Sequence, residues 1–525
     1  MSPALRLLRS PVAWHYAGLA GSLVAILVLG RTQWFYYDEW SLLVPRGLEA
    51  LVAPHVGHWS GAPAILTWAL RAVVGLEVYW PYLLLSVLVH LAITHVLWRL
   101  MRRMGVQPWI ATALALLAAL LGAGAENIFW EFQVGYMGAI LVGLAVLRLL
   151  DSETWNVRRA VVGGVLAVVA VTFSGTAIPV LVAAGLVGLR RRGVLRTALV
   201  LGPAAVVYVA WYLLSGARGS SEWSVKGPTG ILVDVPRYIG HMFADGLGTL
   251  FPIEGFGVVV CAGLVVALVV LARGAWSSTL PAFALFAAAL LQAGLTGFSR
   301  IGLGFGAASS ERYVYAIVVL ILPFCGLVLS RLAGERRAVL AAIVALLVLL
   351  TGFNAGLLAR AAQQQGTLET ATKERLWAVL DLASQPGAAY DPAIVPAPYA
   401  PGVSVGELLE MEREGWLEPG PYGRTAELEA RVYLDLGLAP SPDSADPDAP
   451  GCHVVAPETF LDTSRTADVF GSGAVRIALV SADVVSDWRP VTLTPDGVRV
   501  DATRTTANLR ITALDAPITV CDGVS

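Results

Sequence analysis

Charged side chains are scarce in this chain. They make up 14% of its 525 residues, hydrophobic ones make up 56%, and lysine occurs only twice among the 36 basic residues. No nucleic-acid partner is expected, and the net charge of −2 is an average over basic and acidic segments. Apolar runs of roughly 15–20 residues recur over about two-thirds of the length, as bilayer-spanning helices require.

These runs predict an all-α, multi-pass membrane protein in the cell membrane, with about eleven transmembrane helices. The short pair on either side of Ser174-Gly-Thr176 is alternatively a re-entrant hairpin. The predicted spans lie near 13–30, 79–97, 108–124, 133–149, 160–175, 177–189, 196–214, 257–272, 280–297, 314–330 and 338–356.

Arginine placement predicts the orientation, because clusters on alternate loops mark the cytoplasmic side. No small-residue cleavage site follows the first run, so that run is expected to remain as a membrane helix with a cytoplasmic N-terminus. The first loop and everything after about residue 357 are then extracytoplasmic. The arginines in these clusters are Arg6, Arg9, Arg99, Arg102, Arg103, Arg158, Arg159, Arg190, Arg191, Arg192, Arg196, Arg273, Arg331, Arg336 and Arg337.

Composition divides the chain into a polytopic membrane module (1–356), an exit helix with a Pro/Gly-rich linker (357–403) and a small extracytoplasmic domain (404–525). Alternating patterns at 474–480 and 508–514 predict strands, and Pro-Asp-Gly predicts a hairpin over 491–500. The last domain is therefore expected to be β-rich or α+β.

Cysteine is rare as well, with four in the chain. Cys261 and Cys325 fall within spans and are interpreted as small apolar filler. Cys452 and Cys521 lie in the extracytoplasmic tail, where an oxidising compartment permits a disulfide. Two unrelated thiols are the alternative.

The most informative motif is the carboxylate pair Asp38-Glu39, in the aromatic segment Trp34 to Trp40 just after the first span. Acids beside a membrane tend to be functional or solvated, because charge in the bilayer is costly. Sugar transfer to a hydroxyl needs a base for the acceptor proton, and a carboxylate suits that role. An acidic helix cap is the structural alternative.

Two further loops on the predicted outer side carry candidate binding residues. In 125–134, acids and amides alternate with aromatics, a mixture that suits sugar hydroxyls and ring faces. In 299–315, arginines and tyrosines suit a phosphate leaving group. Structural alternatives are an aromatic belt for the first loop and arginines that extend to lipid headgroups for the second. The predicted binding residues are Glu126, Asn127, Trp130, Gln133, Arg300, Arg312 and Tyr313.

A metal site is not predicted. His55-Val-Gly-His58 has ligand spacing, but no fourth ligand is evident and Gly57 argues against a helix there. His58 and the adjacent Trp59 are interpreted as substrate-binding residues instead. No cofactor is predicted, although a divalent cation is left open.

With its acid pair after the first span, an amphipathic segment before the second, many spans and a soluble outer tail, the chain resembles the GT-C glycosyltransferases. The stretch His58-Trp-Ser-Gly-Ala-Pro63, running on to Tyr79-Trp-Pro-Tyr82 and His90, resembles a largely unassigned actinobacterial branch of that superfamily. The resemblance covers roughly residues 10–350.

The resemblance implies an inverting enzyme that moves a sugar from a polyprenyl-phosphate donor to an extracytoplasmic cell-envelope glycan or glycolipid. It implies Asp38 as general base and Glu39 as its partner or as an anchor for the acceptor. The alternatives are a transporter or flippase of lipid-linked sugars and a non-catalytic envelope-assembly protein. Transporters place ionisable residues near the bilayer midplane and show inverted repeats, whereas these span centres hold no Asp or Glu and no half is repeated.

Overall fold

The computed structural model of the chain describes residues 10–44, 47–55, 57–217, 227–271, 276–442, 445–482 and 484–522. Arg6, Arg9 and Arg273, used above to predict the orientation, lie outside these residues. The chain divides into two compact units. The first unit comprises Met1–Gln33, Arg46–Leu70 and Tyr79–Gly366, and the second comprises Trp34–Pro45, Arg71–Val78 and Thr367–Ser525.

Helices dominate the chain up to Ala383. Polar caps start several of them: the Ser10 hydroxyl accepts a hydrogen bond from the Ala13 amide (3.3 Å), and the Asn156 side chain accepts one from the Arg159 amide (2.9 Å). The main helices are α1 (Pro11–Leu29), α2 (Glu39–Leu43), α3 (Gly61–Val74), α4 (Trp80–Arg103), α5 (Pro108–Ala119), α6 (Ala125–Phe129), α7 (Val134–Leu150), α8 (Val157–Phe173), α9 (Ala177–Arg192), α10 (Val194–Trp211), α11 (Val235–Gly248), α12 (Phe256–Leu271), α13 (Trp276–Arg300), α14 (Glu311–Ala333), α15 (Arg337–Ala383), α16 (Val405–Arg413) and α17 (Arg424–Leu434).

The multi-pass character predicted from sequence agrees with these helices, but the count of eleven spans is not confirmed. Among the described residues, seven helices are long and apolar enough to cross a membrane, or eight if the bent pair Pro108–Ala119 and Gly122–Phe129 is one span. The segments predicted at 160–175, 177–189 and 257–272 do form helices. Over the described residues they contain 17, 16 and 16 residues, whereas a crossing needs about 20.

The first unit packs its helices around a large apolar core. Helix α7 contacts α4, α8 and α9, and α13 contacts α9 and α14. The helical structure is interrupted between α8 and α9 at Ser174, whose backbone is extended (φ −174°, ψ 156°). This interruption brings Gly175 and Thr176 close to the start of α7, where they line a cavity.

The second unit is β-rich after α17, as the sequence predicts. One sheet has the order β3-β10-β6-β12-β4, the other has β5-β11-β7-β8 with β9 paired to β7, and both contribute to one apolar core. The strands are β3 (Gly437–Pro440), β4 (Cys452–Val455), β5 (Phe460–Thr463), β6 (Thr466–Phe470), β7 (Ala474–Ser481), β8 (Val484–Val485), β9 (Arg489–Thr492), β10 (Val498–Asp501), β11 (Asn508–Ala513) and β12 (Ile518–Asp522). The pair β1 (Pro54–His55) and β2 (His58–Trp59) lies in the first unit.

Two local predictions for this unit have different outcomes. The predicted hairpin over 491–500 is wrong, because β9 pairs with β7 in one sheet and β10 pairs with β3 and β6 in the other. The Pro-Asp-Gly turn, with Gly497 at φ 83°, therefore connects the two sheets. The predicted Cys452–Cys521 disulfide is confirmed and joins β4 to β12, in which these cysteines are register partners.

Candidate active site

The acid pair lies in the second unit, at the start of α2. Asp38 immediately precedes the helix and is half-buried, whereas Glu39 is only 1% exposed. The Tyr36 amide donates a 2.6 Å hydrogen bond to Glu39 Oε2, and the Ser41 hydroxyl donates one of 2.6 Å to the Asp38 carbonyl. Glu39 therefore closes the turn in front of the helix, and Asp38 is the more accessible carboxylate of the two.

The backbone at Tyr37, one residue before the pair, is strained. Its φ of 50° lies in the left-handed region, which non-glycine residues rarely adopt. Its amide donates a 2.8 Å hydrogen bond to the Tyr399 carbonyl within the same unit. Nearby, the buried rings of Trp34, Phe35 and Trp40 contact each other edge-on at centroid distances of 5.3–5.8 Å. Backbone strain of this kind clusters at functional sites, so the strain at Tyr37 supports a functional role for the turn that precedes the acid pair.

The first unit contains a cavity of about 190 Å³ that several polar side chains help to line. It lies at the start of α7, at the end of α13 and beside the turn that connects α8 to α9. Three of the predicted binding residues line it: His58, Arg300 and Tyr313. The complete lining comprises Gly57, His58, Tyr136, Gly175, Thr176, Ile178, Tyr208, Tyr212, Gln292, Leu295, Thr296, Ser299, Arg300 and Tyr313.

His58 is uncharged at neutral pH. Burial lowers its pKa from 6.5 to about 4, and the charges of Arg300 and His55 add to that effect. His58 Nε2 lies 3.4 Å from the Tyr136 hydroxyl, a long hydrogen bond, and the two rings meet edge-on at 5.7 Å. The cavity wall here is thus a neutral imidazole and a phenol, which can exchange hydrogen bonds with sugar hydroxyls or phosphate oxygens.

Gly175 keeps the cavity open beside His58. A Cβ at this position would lie 3.2 Å from His58 Nδ1 and 3.4 Å from the Tyr208 hydroxyl. Any larger side chain would extend into the space that these polar atoms face. The Gly in Ser174-Gly-Thr176 is therefore part of the shape of the site, a role that sequence alone did not indicate.

Arg300 is the one cationic side chain among the described residues that line the cavity. Its guanidinium forms no hydrogen bond or ion pair with the part of the chain that the structure describes, and it lies at the C-terminal end of α13. One and two turns earlier on the same helix, Thr296 and Gln292 are linked by a 3.2 Å hydrogen bond from the amide of Gln292 to the hydroxyl of Thr296. The polar face of α13 thus ends in an arginine available to an anion.

Arg312 has a different environment, because it is paired. Its Nη1 donates a 3.0 Å hydrogen bond to Glu126 Oε1, and its backbone amide donates one of 3.2 Å to Glu126 Oε2. The Glu126 amide in turn donates to Glu311 Oε2 at 2.9 Å. Two residues predicted separately, Glu126 and Arg312, are therefore brought together as an ion pair. Arg312 also lies over the ring of Tyr313, with 5.3 Å to its centroid, and Tyr313 lines the cavity.

The other predicted binding residues do not line the cavity. Asn127, Trp130 and Gln133 are at most 1% exposed, because 125–133 folds into α6 and a 3-10 turn packed within the bundle. Trp59 stacks on Trp211 at 5.2 Å and donates a hydrogen bond to the Leu51 carbonyl (2.8 Å). Their roles in substrate binding stay predictions.

His55 and His58 face each other as register partners of β1 and β2, with Gly57 at φ 79° in the turn. The HxxH spacing therefore belongs to a hairpin and not to a helix. Over the described ranges, no group of three or more His, Cys, Asp or Glu side chains is arranged to hold a metal.

Sequence reasoning missed several lining residues, notably Tyr136, Tyr208, Tyr212, Gln292, Thr296 and Ser299. For the last three, a signal is present: they recur at intervals of four and three residues in an otherwise apolar helix. That spacing places them on one face of α13. The tyrosines carry no such signal, because tyrosine near a membrane surface is common.

No protein-family model matches the chain, and no curated protein matches it either. Among solved structures, the crystal structure of the Archaeoglobus fulgidus oligosaccharyltransferase in complex with Zn and sulfate matches at 12% sequence identity and a TM-score of 0.34. The match covers 78% of this chain and 58% of that one, so the chain spans less than two-thirds of the length of that protein. Similarity at this level supports no inference about the present chain.

Proposed function

We propose that this protein is a membrane glycosyltransferase that moves a sugar from a polyprenyl-phosphate donor to an extracytoplasmic cell-envelope glycan or glycolipid. The observation that carries the proposal is the cavity of the first unit, in which Arg300, without a partner among the described residues, lies with neutral His58, Tyr136 and Tyr313. A phosphate needs a cation, and a sugar needs uncharged donors and acceptors. The lining offers both.

In the proposed reaction, the acceptor hydroxyl oxygen attacks the anomeric carbon of the donor sugar as the bond from that carbon to the phosphate oxygen breaks. The electron pair of the broken bond goes to the phosphate, whose growing charge Arg300 stabilises. The acceptor proton goes to the Asp38 carboxylate, which acts as general base. The products are the new glycoside, with inverted configuration, and polyprenyl phosphate.

Within this proposal the acids have separate roles. Asp38 is the base because it is the more accessible carboxylate, and Glu39 positions it by holding the preceding turn through the Tyr36 amide. Glu126 positions Arg312, whose guanidinium it binds, and Arg312 in turn lies against the ring of Tyr313. Arg300 is thus the stronger candidate for the donor phosphate, since the charge of Arg312 is already partly neutralised.

The test is product release by the purified full-length protein in lipid vesicles. With a polyprenyl-phosphate sugar and a cell-envelope glycan acceptor, we expect polyprenyl phosphate and an extended glycan to appear together. A flippase would move the intact lipid-linked sugar across the vesicle without cleaving its phosphate–sugar bond. Transbilayer movement of the lipid-linked sugar without release of polyprenyl phosphate would therefore contradict the proposal and support the transporter hypothesis. Neither product nor movement would favour a non-catalytic assembly role.

A further inference from the structure

A second cavity of the first unit, of about 390 Å³, lies at the other ends of α7 and α13. Where the first cavity adjoins Tyr136 and Arg300, this one adjoins Asp151, just after α7, and Ser278, near the start of α13. Its lining is mostly charged or hydroxyl-bearing and comprises Arg103, Met104, Asp151, Ser152, Glu153, Arg191, Arg192 and Ser278.

The cavity lies beside the ends of candidate membrane spans. Two candidate membrane spans end beside it, at Arg103 and Leu150, and a third begins there at Ser278. Between Ser278 and the α13 residues that line the first cavity, Gln292 to Arg300, the helix rises about 21–33 Å at 1.5 Å per residue. The two cavities therefore lie at opposite ends of the same helices, and the arginine pattern predicts that this one faces the cytoplasm.

Arginines from three helices enclose the loop after α7. Asp151, 4% exposed, lies between Arg103 Nε at 3.2 Å and Arg191 Nε at 3.3 Å. Arg159 Nη1 donates to the Ser152 hydroxyl (2.8 Å). Arg192 Nε donates to the Leu150 carbonyl at 3.0 Å. Asp151 is thus paired with two arginines, and Arg159 and Arg192 form no ion pair with it.

Positive charge exceeds negative charge around this cavity. Neither Arg159 nor Arg192 has an ion pair with the residues that the structure describes, and the carboxylate of Glu153 is 92% exposed, with Arg103 Nη2 at 3.8 Å. Burial lowers the pKa of Arg192, and the charge of Arg196 adds to this effect. Such mutual repulsion is relieved when an anion binds. The Arg192 guanidinium also lies 5.2 Å from the centroid of Trp155, a residue type common at membrane interfaces.

We propose that this cavity binds the phosphate group of an anionic phospholipid headgroup from the predicted cytoplasmic leaflet. Basic pockets between membrane helices on that side bind such headgroups, and arginine forks match phosphate oxygens. Arg192 is the principal donor, with Arg103 and Arg191 beside it. A free phosphate ion has the same recognition chemistry, but the position of the cavity at the ends of three candidate spans favours a lipid.

The test measures lipid binding to the intact protein in neutral detergent, by native mass spectrometry and by thermal stability against added phosphatidylglycerol or phosphatidylcholine. We expect phosphatidylglycerol to bind at least tenfold more tightly than phosphatidylcholine. Arg192→Gln should remove that preference, whereas Arg336→Gln should keep it. Arg336 is the matched control, an exposed arginine on another predicted inner loop.

A second variant tests the proposal independently, in case Arg192→Gln does not fold. Ser278→Phe fills the cavity from α13 without changing any charge, and it should also lower phosphatidylglycerol binding at least tenfold. Equal lipid preference in Arg192→Gln and Arg336→Gln would overturn the proposal, because diffuse surface charge would then explain the binding. If inorganic phosphate alone gave the full stabilisation, the cavity would be a site for a free anion and the lipid assignment would be wrong.

Discussion

Replacing Arg300 with lysine should weaken donor binding selectively. The structure provides the reason: Arg300 is the cavity cation that has no partner among the described residues, so its guanidinium is free to form two parallel hydrogen bonds to a phosphate. Lysine keeps the charge but loses the fork. Losing one hydrogen bond to a charged group costs roughly 1.5–3 kcal/mol, which corresponds to donor binding weaker by roughly 10- to 150-fold.

The assay is titration of the purified protein with the polyprenyl-phosphate sugar, with acceptor affinity measured in parallel. Arg237→Lys is the control, because Arg237 is exposed and lies over the ring of Phe305 at 4.8 Å, outside the cavity lining. Acceptor affinity should change much less than donor affinity in Arg300→Lys. Unchanged donor affinity, or an equal loss in Arg237→Lys, would refute the role given to Arg300.

Three further predictions concern the ionisation of His58, the disulfide and the orientation. The lowered pKa of His58 means that the unfolded chain binds its proton more tightly, so stability should fall as pH drops from 6.5 towards 4, by up to about 3 kcal/mol. Thermal unfolding should show a shallower slope for His58→Asn over that range, and parallel slopes would contradict this account. The Cys452–Cys521 bond closes a loop with a sequence separation of 69 and should stabilise the second unit by at most about 4 kcal/mol. Mass spectrometry without reductant should find it intact, and free thiols would contradict the assignment. Cysteine placed at Tyr37, which is 44% exposed, should react with an impermeant reagent in intact cells, and cysteine at Arg190 only after lysis; the reverse pattern would invert the topology.

Sequence reasoning predicts what depends on local pattern. Helices form at all eleven predicted spans, and strands form at 474–480 and 508–514, because apolar runs and alternation report burial directly. It fails where the outcome depends on the exact length of a helix or on which strands pair with each other. Helix α12 is apolar throughout yet has 16 residues, and the strands beside Pro-Asp-Gly pair in separate sheets, which no local signal shows.

The candidate site divides in the same way. His58, Arg300 and Tyr313 were predicted from residue type and loop position, and all three line one cavity. The pairing of Glu126 with Arg312 and the space kept by Gly175 were not predictable, since both depend on contacts between segments distant in sequence. In 125–133 the rings of Phe129 and Trp130 are buried by packing, which the aromatic composition of the segment does not show, and the role of Trp130 in sugar binding stays a prediction.

The central claim is sugar transfer with Asp38 as base, and turnover of Asp38→Asn tests it most directly. Asparagine keeps the size of the side chain but cannot accept the acceptor proton, so release of polyprenyl phosphate should fall at least ~100-fold. Glu39→Gln should lose less, since its remaining carbonyl oxygen can still accept the hydrogen bond from the Tyr36 amide. Equal melting temperatures would show that both variants are folded. Near-normal release by folded Asp38→Asn would contradict the account and place the base elsewhere.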